Sequence, residues 1–330
     1  MNGKLVVVYG DIVADRFIYG TPKRISREAP VLILRQYRDD VLLGGGGNGI
    51  NNILSLGGLP IPVSVVGNDA EGRQLVEKLK SQGIDCSGIL QVDRYKTPTK
   101  VRILGGFPHA SRQQIVRYDI EDEFVIEADE AQRFSHLLRD AISMCHAGMI
   151  SDYGYGVVTA DVASTLMRYA NGKPVTLDSR YALLHFRGVT AATPNEEEAA
   201  AAARTPLYQQ IANGDADERV TGVARSLQES LACEAVLITR GSRGMALLER
   251  GRDETLFIPV YGTDQVADVT GAGDTVIAAF TLALAAGSSY AEAAKLANYA
   301  GGIVVTKMGT ATASHEELRR AIERDEDLNE

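Results

Sequence analysis

Asp268-Val269-Thr270-Gly271-Ala272-Gly273-Asp274-Thr275 runs without a break into Val276 to Gly287 (VIAAFTLALAAG), and this stretch decides the reading of the chain. The apolar part, Thr275 to Gly287, is well short of the roughly 20 residues needed to span a bilayer, so it reads as a buried helix. Small residues ahead of such a helix leave backbone N–H groups free at its N-terminus, where the aligned peptide dipoles favour an anion. Asp274, in the same first turn, can complement that dipole or act as a general base beside an anion hole. Phosphoryl transfer needs in-line positioning, neutralised charge on the moving group and a carboxylate to take a hydroxyl proton. Gly271, Ala272 and Gly273 with Asp274 would supply the last two.

Outward from this run, short apolar strands are expected at Lys4 to Tyr9, Val63 to Val66, Ala147 to Ile150, Pro174 to Leu177, Val189 to Ala192 and Ala235 to Thr239. Patterns near the 3.6-residue period place helices at Asn48 to Leu56, Gly72 to Ser81, Glu130 to Ile142, Thr159 to Ala170, Glu218 to Leu231 and Ala272 to Ala285. Alternation of the two predicts an α/β fold, a mainly parallel sheet with helices on both faces. Phe17 to Tyr37 and Thr97 to Tyr118 break the rhythm: both read as β-rich with no helix between their strands. One domain over 1–330 is expected, with a small β-sheet lid formed by segments of about 16–38 and 94–118 inserted within it.

Charge marks the same segments. Arg16 to Arg38 holds six basic residues against Glu28, and Arg94 to Tyr118 holds six more with no acid, although the 330-residue chain carries a net −9. That overall balance argues against nucleic-acid or membrane partners. The basic runs are either solvated strand edges or a cover over an anionic ligand, for which Arg117 and Arg24 are the candidates. The apolar strands Phe17 to Tyr19 and Val31 to Leu34 are poorly suited to a solitary flap, so a homodimer through the lid is expected. Cys86, Cys145 and Cys233 fit no metal-ligand spacing and no paired disulfide framework, and the apolar start meets Asp11 too early for a signal peptide. A cytoplasmic location is the resulting expectation.

Gly44-Gly45-Gly46-Gly47-Asn48-Gly49 follows Val41-Leu42-Leu43 and opens a helix. It contains G-x-G-x-x-G, with Asp69 near the distance of a ribose carboxylate, but four consecutive glycines satisfy almost any glycine pattern. The other readings are a tight turn that uses positive φ and a ligand approach to the backbone, with Asn48 offering donor and acceptor to a polyol. Thr193 to Glu198 (TPNEEE) resembles a capping box on Asn195 and Glu198, or an acidic site for Mg²⁺ held through water. Thr239 to Gly244 (TRGSRG) is a glycine turn after a strand, and no G-x-x-x-x-G-K-[ST] loop occurs. The five histidines show no metal or triad spacing.

In this order the motifs resemble the ribokinase family of sugar kinases, also called the PfkB family, across nearly the whole chain. DVTGAGDTVIAAF, GGGGNGINNILSLG, NEEE and TRGSRG carry the resemblance. GDIVADRFIYG, RISREAPV, RQQIVRYD, SDYGYG, TPNEEE and KMGTATAS are similar to the heptose 7-phosphate kinase domain of ADP-heptose synthases. The resemblance implies a ribokinase-like fold and ATP-dependent phosphorylation of a sugar hydroxyl, with D-glycero-D-manno-heptose 7-phosphate as a candidate acceptor. It implies Asp274 as base, Gly271 to Gly273 as anion hole, and sugar contacts at Asp15, Gly44, Gly45 and Asn48. It places ATP against Asn195, Glu198, Thr239, Gly241, Gly244 and Asn298, with Mg²⁺ near Glu198. A monovalent cation such as K⁺ would lie among Asp268, Thr270, Val304, Lys307 and Gly309, mainly on backbone carbonyls. Three departures bear on substrate. Tyr155 stands where heptose kinases show lysine, Ser179-Arg180 replaces Pro-Lys, and Gly105 to Ser111 is a longer lid turn. Other open readings are a kinase for another sugar or sugar phosphate and a weakly catalytic nucleotide-binding regulator. The H-x-G-H motif of a nucleotidyltransferase is absent from this sequence.

Overall fold

The computed structural model describes residues 1–107, 113–205, 216–262 and 267–325. In chain order, β1 (Leu5–Gly10), β2 (Ile12–Ile25) and β3 (Leu32–Gly45) lead into α1 (Gly46–Ser55), β4 (Leu59–Gly67), α2 (Ala70–Ser81) and β5 (Ile89–Val92). There follow β6 (Thr99–Gly105), β7 (Gln113–Ile120), α3 (Ala128–Met144), β8 (Ala147–Asp152), α4 (Ala160–Tyr169), β9 (Val175–Ser179) and β10 (Ala191–Ala192). The remainder is α5 (Glu196–Ala202), α6 (Ala216–Leu231), β11 (Ala235–Thr239), β12 (Met245–Glu249), β13 (Leu256–Ile258), α7 (Ala272–Ala285), α8 (Tyr290–Val304) and α9 (His315–Arg324).

The main sheet has nine strands in the order β13-β12-β11-β10-β9-β8-β1-β4-β5. It is parallel from β11 to β5, and β12 and β13 add antiparallel at one edge. Because strand side chains alternate between faces, β1 divides its residues between two cores. Val6 and Val8 join the residues of α1, α2, α7, α8 and α9 on one face. Val7 and Tyr9 join those of α3, α4 and α6 on the other. α7 is buried on nearly every side, as an all-round apolar helix requires.

Two long strands and two shorter ones form the separate lid sheet, ordered β3-β2-β6-β7. β2 and β6 pair in parallel, Asp15 opposite Lys100 and Phe17 opposite Arg102, while the flanking pairs are antiparallel. The lid strands outrun the expected 16–38 segment at both ends: β2 starts at Ile12 and β3 continues to Gly45. The longer lid turn expected at Gly105 to Ser111 falls mostly outside the described residues. Phe17 does not wait for a partner to cover it; it is buried within the protomer, where the Arg102 guanidinium lies 5.2 Å from its ring centre. No described helix is long and apolar enough to cross a membrane.

Candidate active site

Where the parallel strands end, a cleft of about 410 Å³ opens between the main sheet and the lid. α7 begins there at Gly271, whose φ of 78° is readily adopted by glycine, and a Cβ on it would come within 2.4 Å of the Asn48 amide. Asp274 is buried in the first turn, and its side chain lines the cleft. Tyr153 donates its phenol proton to Asp274 Oδ1 at 2.7 Å, and Asn48 Nδ2 donates to Oδ2 at 3.1 Å. Burial pushes the Asp274 carboxyl up to about 7, against the pull of those two donors; Asp15 adds to the rise and Lys100 opposes it.

The three residues expected to form an anion hole differ in their backbone bonding. Ala272 donates its N–H to Val269 O at 3.2 Å, whereas the N–H groups of Gly271, Gly273 and Asp274 have no hydrogen-bond partner among the described residues. Gly271 and Gly273 line the cleft. Asn48, expected to face a polyol, is fully buried: its amide N–H₂ goes to Asp274 and to Gly271 O, and its amide oxygen accepts from Asn52. Its amide is thus committed to Asp274, Gly271 and Asn52, and it is not among the residues that line the cleft. Asp15 does line the cleft, ion-paired with Arg102. A Cβ at Gly44 would fall 2.4 Å from Asp15 Oδ2, so this glycine makes room for that carboxylate. Gly45 lines the cleft beside it.

Asn195, Glu198 and Thr239 form the far wall. The capping box exists in both directions, with Asn195 Oδ1 accepting from Glu198 N–H and Glu198 Oε2 accepting from Asn195 N–H, each at 2.9 Å. Asn195 bridges to Thr239 in parallel register, which brings the NEEE and TRGSRG segments together. Glu196 is occupied otherwise, pairing with Arg240 at 3.1 Å and Arg243 at 2.6 Å and fixing the glycine turn on α5. Gly241 and Gly244 shape that turn with φ of 57° and 77° and are not on the cleft wall. Asn298 lies apart from it, lining a smaller cavity with Pro259, Tyr261 and Tyr299 and donating to Pro259 O at 2.8 Å.

The candidate monovalent-cation residues are brought together as two adjoining loops. Asp268 accepts from Thr270 N–H and hydroxyl and from Gly309 N–H, and its own N–H donates to Val305 O. Lys307 donates to Thr312 O and pairs with Glu317, and Val304 is buried. Among the described residues no cluster of three or more His, Cys, Asp or Glu side chains forms a metal site.

Of the lid cations, Lys100, Arg102 and Arg117 line the cleft, and Arg180 joins them from the end of β9. Arg24 does not; it sits on the exposed far end of β2. Lys100 is buried and held below the usual lysine range by desolvation. Past Tyr153 a second chamber of about 390 Å³ shares Lys100, Arg117 and Arg180 and is rimmed by Asp119, Glu121, Asp122 and Glu123. Tyr155 donates to Glu121 there at 3.2 Å. Tyr153, Asp178 and Lys100 are site residues that no sequence motif singled out. Only the basic count around Lys100, the SDYGYG segment and the Ser179-Arg180 departure pointed near them.

A parallel α/β sheet, a lid and a buried carboxylate at a helix N-terminus define a phosphotransferase-type cleft, and comparison with known proteins gives its class. The profile of the pfkB family carbohydrate kinase matches residues 4–317, so the chain belongs to this family. It is 38% identical over 328 residues to the bifunctional protein HldE of Mesorhizobium japonicum, covering 98% of this chain and 63% of that protein. With HldE of Geobacter sulfurreducens it shares 38% over 317 residues, 94% and 61% of the two chains. The chain thus spans about three fifths of the length of these relatives. Among solved structures, Arabidopsis thaliana ribokinase complexed with ribose and ATP superposes with a TM-score of 0.72 at 20% identity, covering 98% of this chain and 99% of that one. Escherichia coli phosphofructokinase-2 in complex with potassium gives 0.75 at 18%, covering 97% and 98%. These two establish the ribokinase-like fold.

Proposed function

We propose that the chain, acting as one kinase domain, transfers the γ-phosphoryl group of ATP to a hydroxyl of a phosphorylated sugar, with a heptose 7-phosphate as the first candidate. The observation that carries this reading is the opposition of two groups across one cleft: Asp274 and the free N–H groups of Gly271 and Gly273 on one side, Lys100, Arg117 and Arg180 on the other. The acceptor hydroxyl gives its proton to Asp274 as its oxygen bonds to phosphorus, the bond to the bridging β-phosphate oxygen breaks, and ADP leaves. The N–H groups at the start of α7 neutralise charge on the moving group. ATP lies along Asn195, Glu198 and Thr239, with Gly241, Gly244 and Asn298 bordering the base end. Gly45 and Asp15 meet the sugar, with Gly44 making room for Asp15.

Glu198 and Asp178 offer hard oxygen donors that suit Mg²⁺. Burial, then the neighbouring carboxylates of Glu198, Asp274 and Asp152, push Asp178 well above the usual carboxylate range. When bound, Mg²⁺ supplies charge neutralisation of the phosphates. The loops joined by Asp268 are our candidate seat for K⁺.

Tyr155, tied to Glu121 in the second chamber, removes one cation from the place where heptose kinases have lysine, and Arg180 at the seam offers a replacement. That substitution favours, as second reading, a kinase for a different phosphosugar. A homodimer through the lid is supported by its outer edge: β7 is exposed along its whole length and presents Ile115, Val116 and Tyr118. The three free, buried thiols accord with a cytoplasmic setting. The test is ADP release measured by a coupled assay over paired free and phosphorylated sugars. Release with a phosphosugar supports the reading, and no release with any sugar leaves the regulatory alternative.

A further inference from the structure

Asp274 is held on both oxygens by donors from two separate elements. Asn48 Nδ2 of α1 reaches Oδ2, and the Tyr153 phenol, one residue past β8, reaches Oδ1. Each donor is fixed in turn. Asn52 Nδ2 donates to Asn48 Oδ1 at 3.1 Å, which leaves the Asn48 amide one orientation, and Asn52 Oδ1 accepts from Ala313 N–H at 3.3 Å. The backbone N–H of Tyr153 donates to the buried Asp11 carboxylate at 2.7 Å, and Lys100 Nζ stands 4.9 Å from the centre of the Tyr153 ring. A phenol this enclosed keeps its proton, since burial and then Asp274 push its ionisation far up. A carboxylate in a cleft wall with neither donor could rotate about its Cα–Cβ bond and turn its lone pairs from the acceptor.

We propose that Tyr153 is a positioning residue of the phosphoryl transfer, its O–H holding Asp274 Oδ1 so that the remaining lone pairs of the carboxylate face the acceptor hydroxyl. This rests on the reading of Asp274 as the base. Nothing about Tyr153 requires it to touch substrate; it acts through Asp274. The groups that face Asp274 are Tyr153 after β8, Asn48 on α1, Asp15 on β2, Lys100 on β6 and Asp178 on β9. Tyr153, Asn48 and Lys100 favour the carboxylate, whereas Asp15 and Asp178 favour the acid. Removing the phenol O–H therefore raises the pH at which Asp274 gives up its proton.

Tyr153→Phe keeps the ring, the Lys100 contact and the backbone bond to Asp11. With the best acceptor, kcat is expected to fall by roughly 10- to 100-fold, the scale of a modest misplacement of a catalytic group. KM for ATP should stay within about twofold, and the acid limb of the kcat profile should move up by about one pH unit, as loss of a donor to the charged form requires. A fall in kcat with an unmoved acid limb, or kcat within about twofold of wild type, overturns the proposal. Should Tyr153→Phe fold poorly by melting, 3-fluorotyrosine at 153 preserves the packing and makes the phenol a stronger donor. The acid limb should then move down, and an unmoved or raised limb overturns the proposal. Asp274→Asn measured alongside separates the two readings: normal turnover there refutes the base itself, whereas a dead Asp274→Asn with an unaltered Tyr153→Phe refutes only the role of Tyr153.

Discussion

Asp274→Asn should cost activity and add stability, and the two effects come from the same burial. A positioned general base contributes roughly 10²- to 10⁴-fold, so turnover should drop by about that factor. ATP affinity should hold, because the N–H groups of Gly271 and Gly273 belong to the backbone. For stability, the carboxyl rises from 3.8 to about 7 because folding buries it. Raised above its unfolded value, it binds more proton in the folded state, so stability falls as pH climbs from about 4 to about 7 and stays reduced above that. At about 1.4 kcal/mol per unit the full penalty is about 4 kcal/mol. Asparagine removes it, but the Tyr153 hydroxyl and Asn48 amide must then share one oxygen, at a cost of roughly 1–3 kcal/mol. The balance is a gain of about 1–3 kcal/mol at pH 8 that turns into a loss of about 1–3 kcal/mol by about pH 4, where the wild-type carboxyl carries no burial penalty. Melting of both proteins from pH 4 to 8, beside steady-state kinetics, reads it directly. Turnover close to wild type removes Asp274 from the chemistry, and a variant destabilised equally at both pH extremes refutes the burial argument.

Three further outcomes are expected. Phosphosugars should be used with higher kcat/KM than the matching free sugars, and Arg180→Met or Arg117→Met should erode that preference; equal values for a sugar and its phosphate return the lid cations to a solvated edge. Glu198→Gln can still accept from Asn195 N–H, so it should raise the Mg²⁺ concentration needed for half-maximal rate while shifting melting less than the roughly 1 kcal/mol of a lost cap; an unchanged Mg²⁺ dependence with normal activity leaves Glu198 as a helix cap alone. Light scattering at micromolar protein should show a dimer that Val116→Asp on β7 dissociates, and a fully active monomeric wild type counts against the lid interface.

How far the sequence reaches depends on whether a residue's role is local. α7 follows from an apolar run behind a glycine-rich start, and β11 is found at its expected limits because its apolar residues end at a glycine turn. The capping box of Asn195 and Glu198 lies within four residues and was legible for that reason. β10 shrinks to Ala191–Ala192, since a central strand needs only enough length to bridge its neighbours. β12 and β13, the antiparallel edge, and the alanine-rich α8 with its Gly301-Gly302 pair are missing from the segments named in advance. In α8 the glycine that looks like a breaker is there for packing: a Cβ on Gly302 would sit 2.2 Å from Tyr261 O. Asn48 and Tyr153 meet Asp274 across 226 and 121 residues of chain, and no spacing rule reports such a contact.

The charge distribution also explains why the cleft needs two sheets. Asp11, Asp152 and Asp178 all come at the carboxyl ends of β1, β8 and β9, where a parallel sheet presents its ligand site, and Asp274 starts the helix beside them. Burial is the first cause that raises each of the four, Asp11 to about 7. The main sheet therefore gathers bases and hard oxygens but little to attract a phosphate. Lys100, Arg102 and Arg117 arrive from the lid, two of them on the strand that pairs with Asp15's own. A ligand carrying only hydroxyls would meet repulsion-strained carboxylates and leave Lys100 and Arg180 without a counter-charge, whereas one with a phosphate at its far end satisfies both walls at once. Arg102 is already committed to Asp15 and Arg117 to Asp119. Lys100 and Arg180, with no ion pair among the described residues, are thus the cations with most to gain from an incoming anion, and substitution of either should weaken a phosphosugar more than substitution of Arg102 weakens it through charge alone.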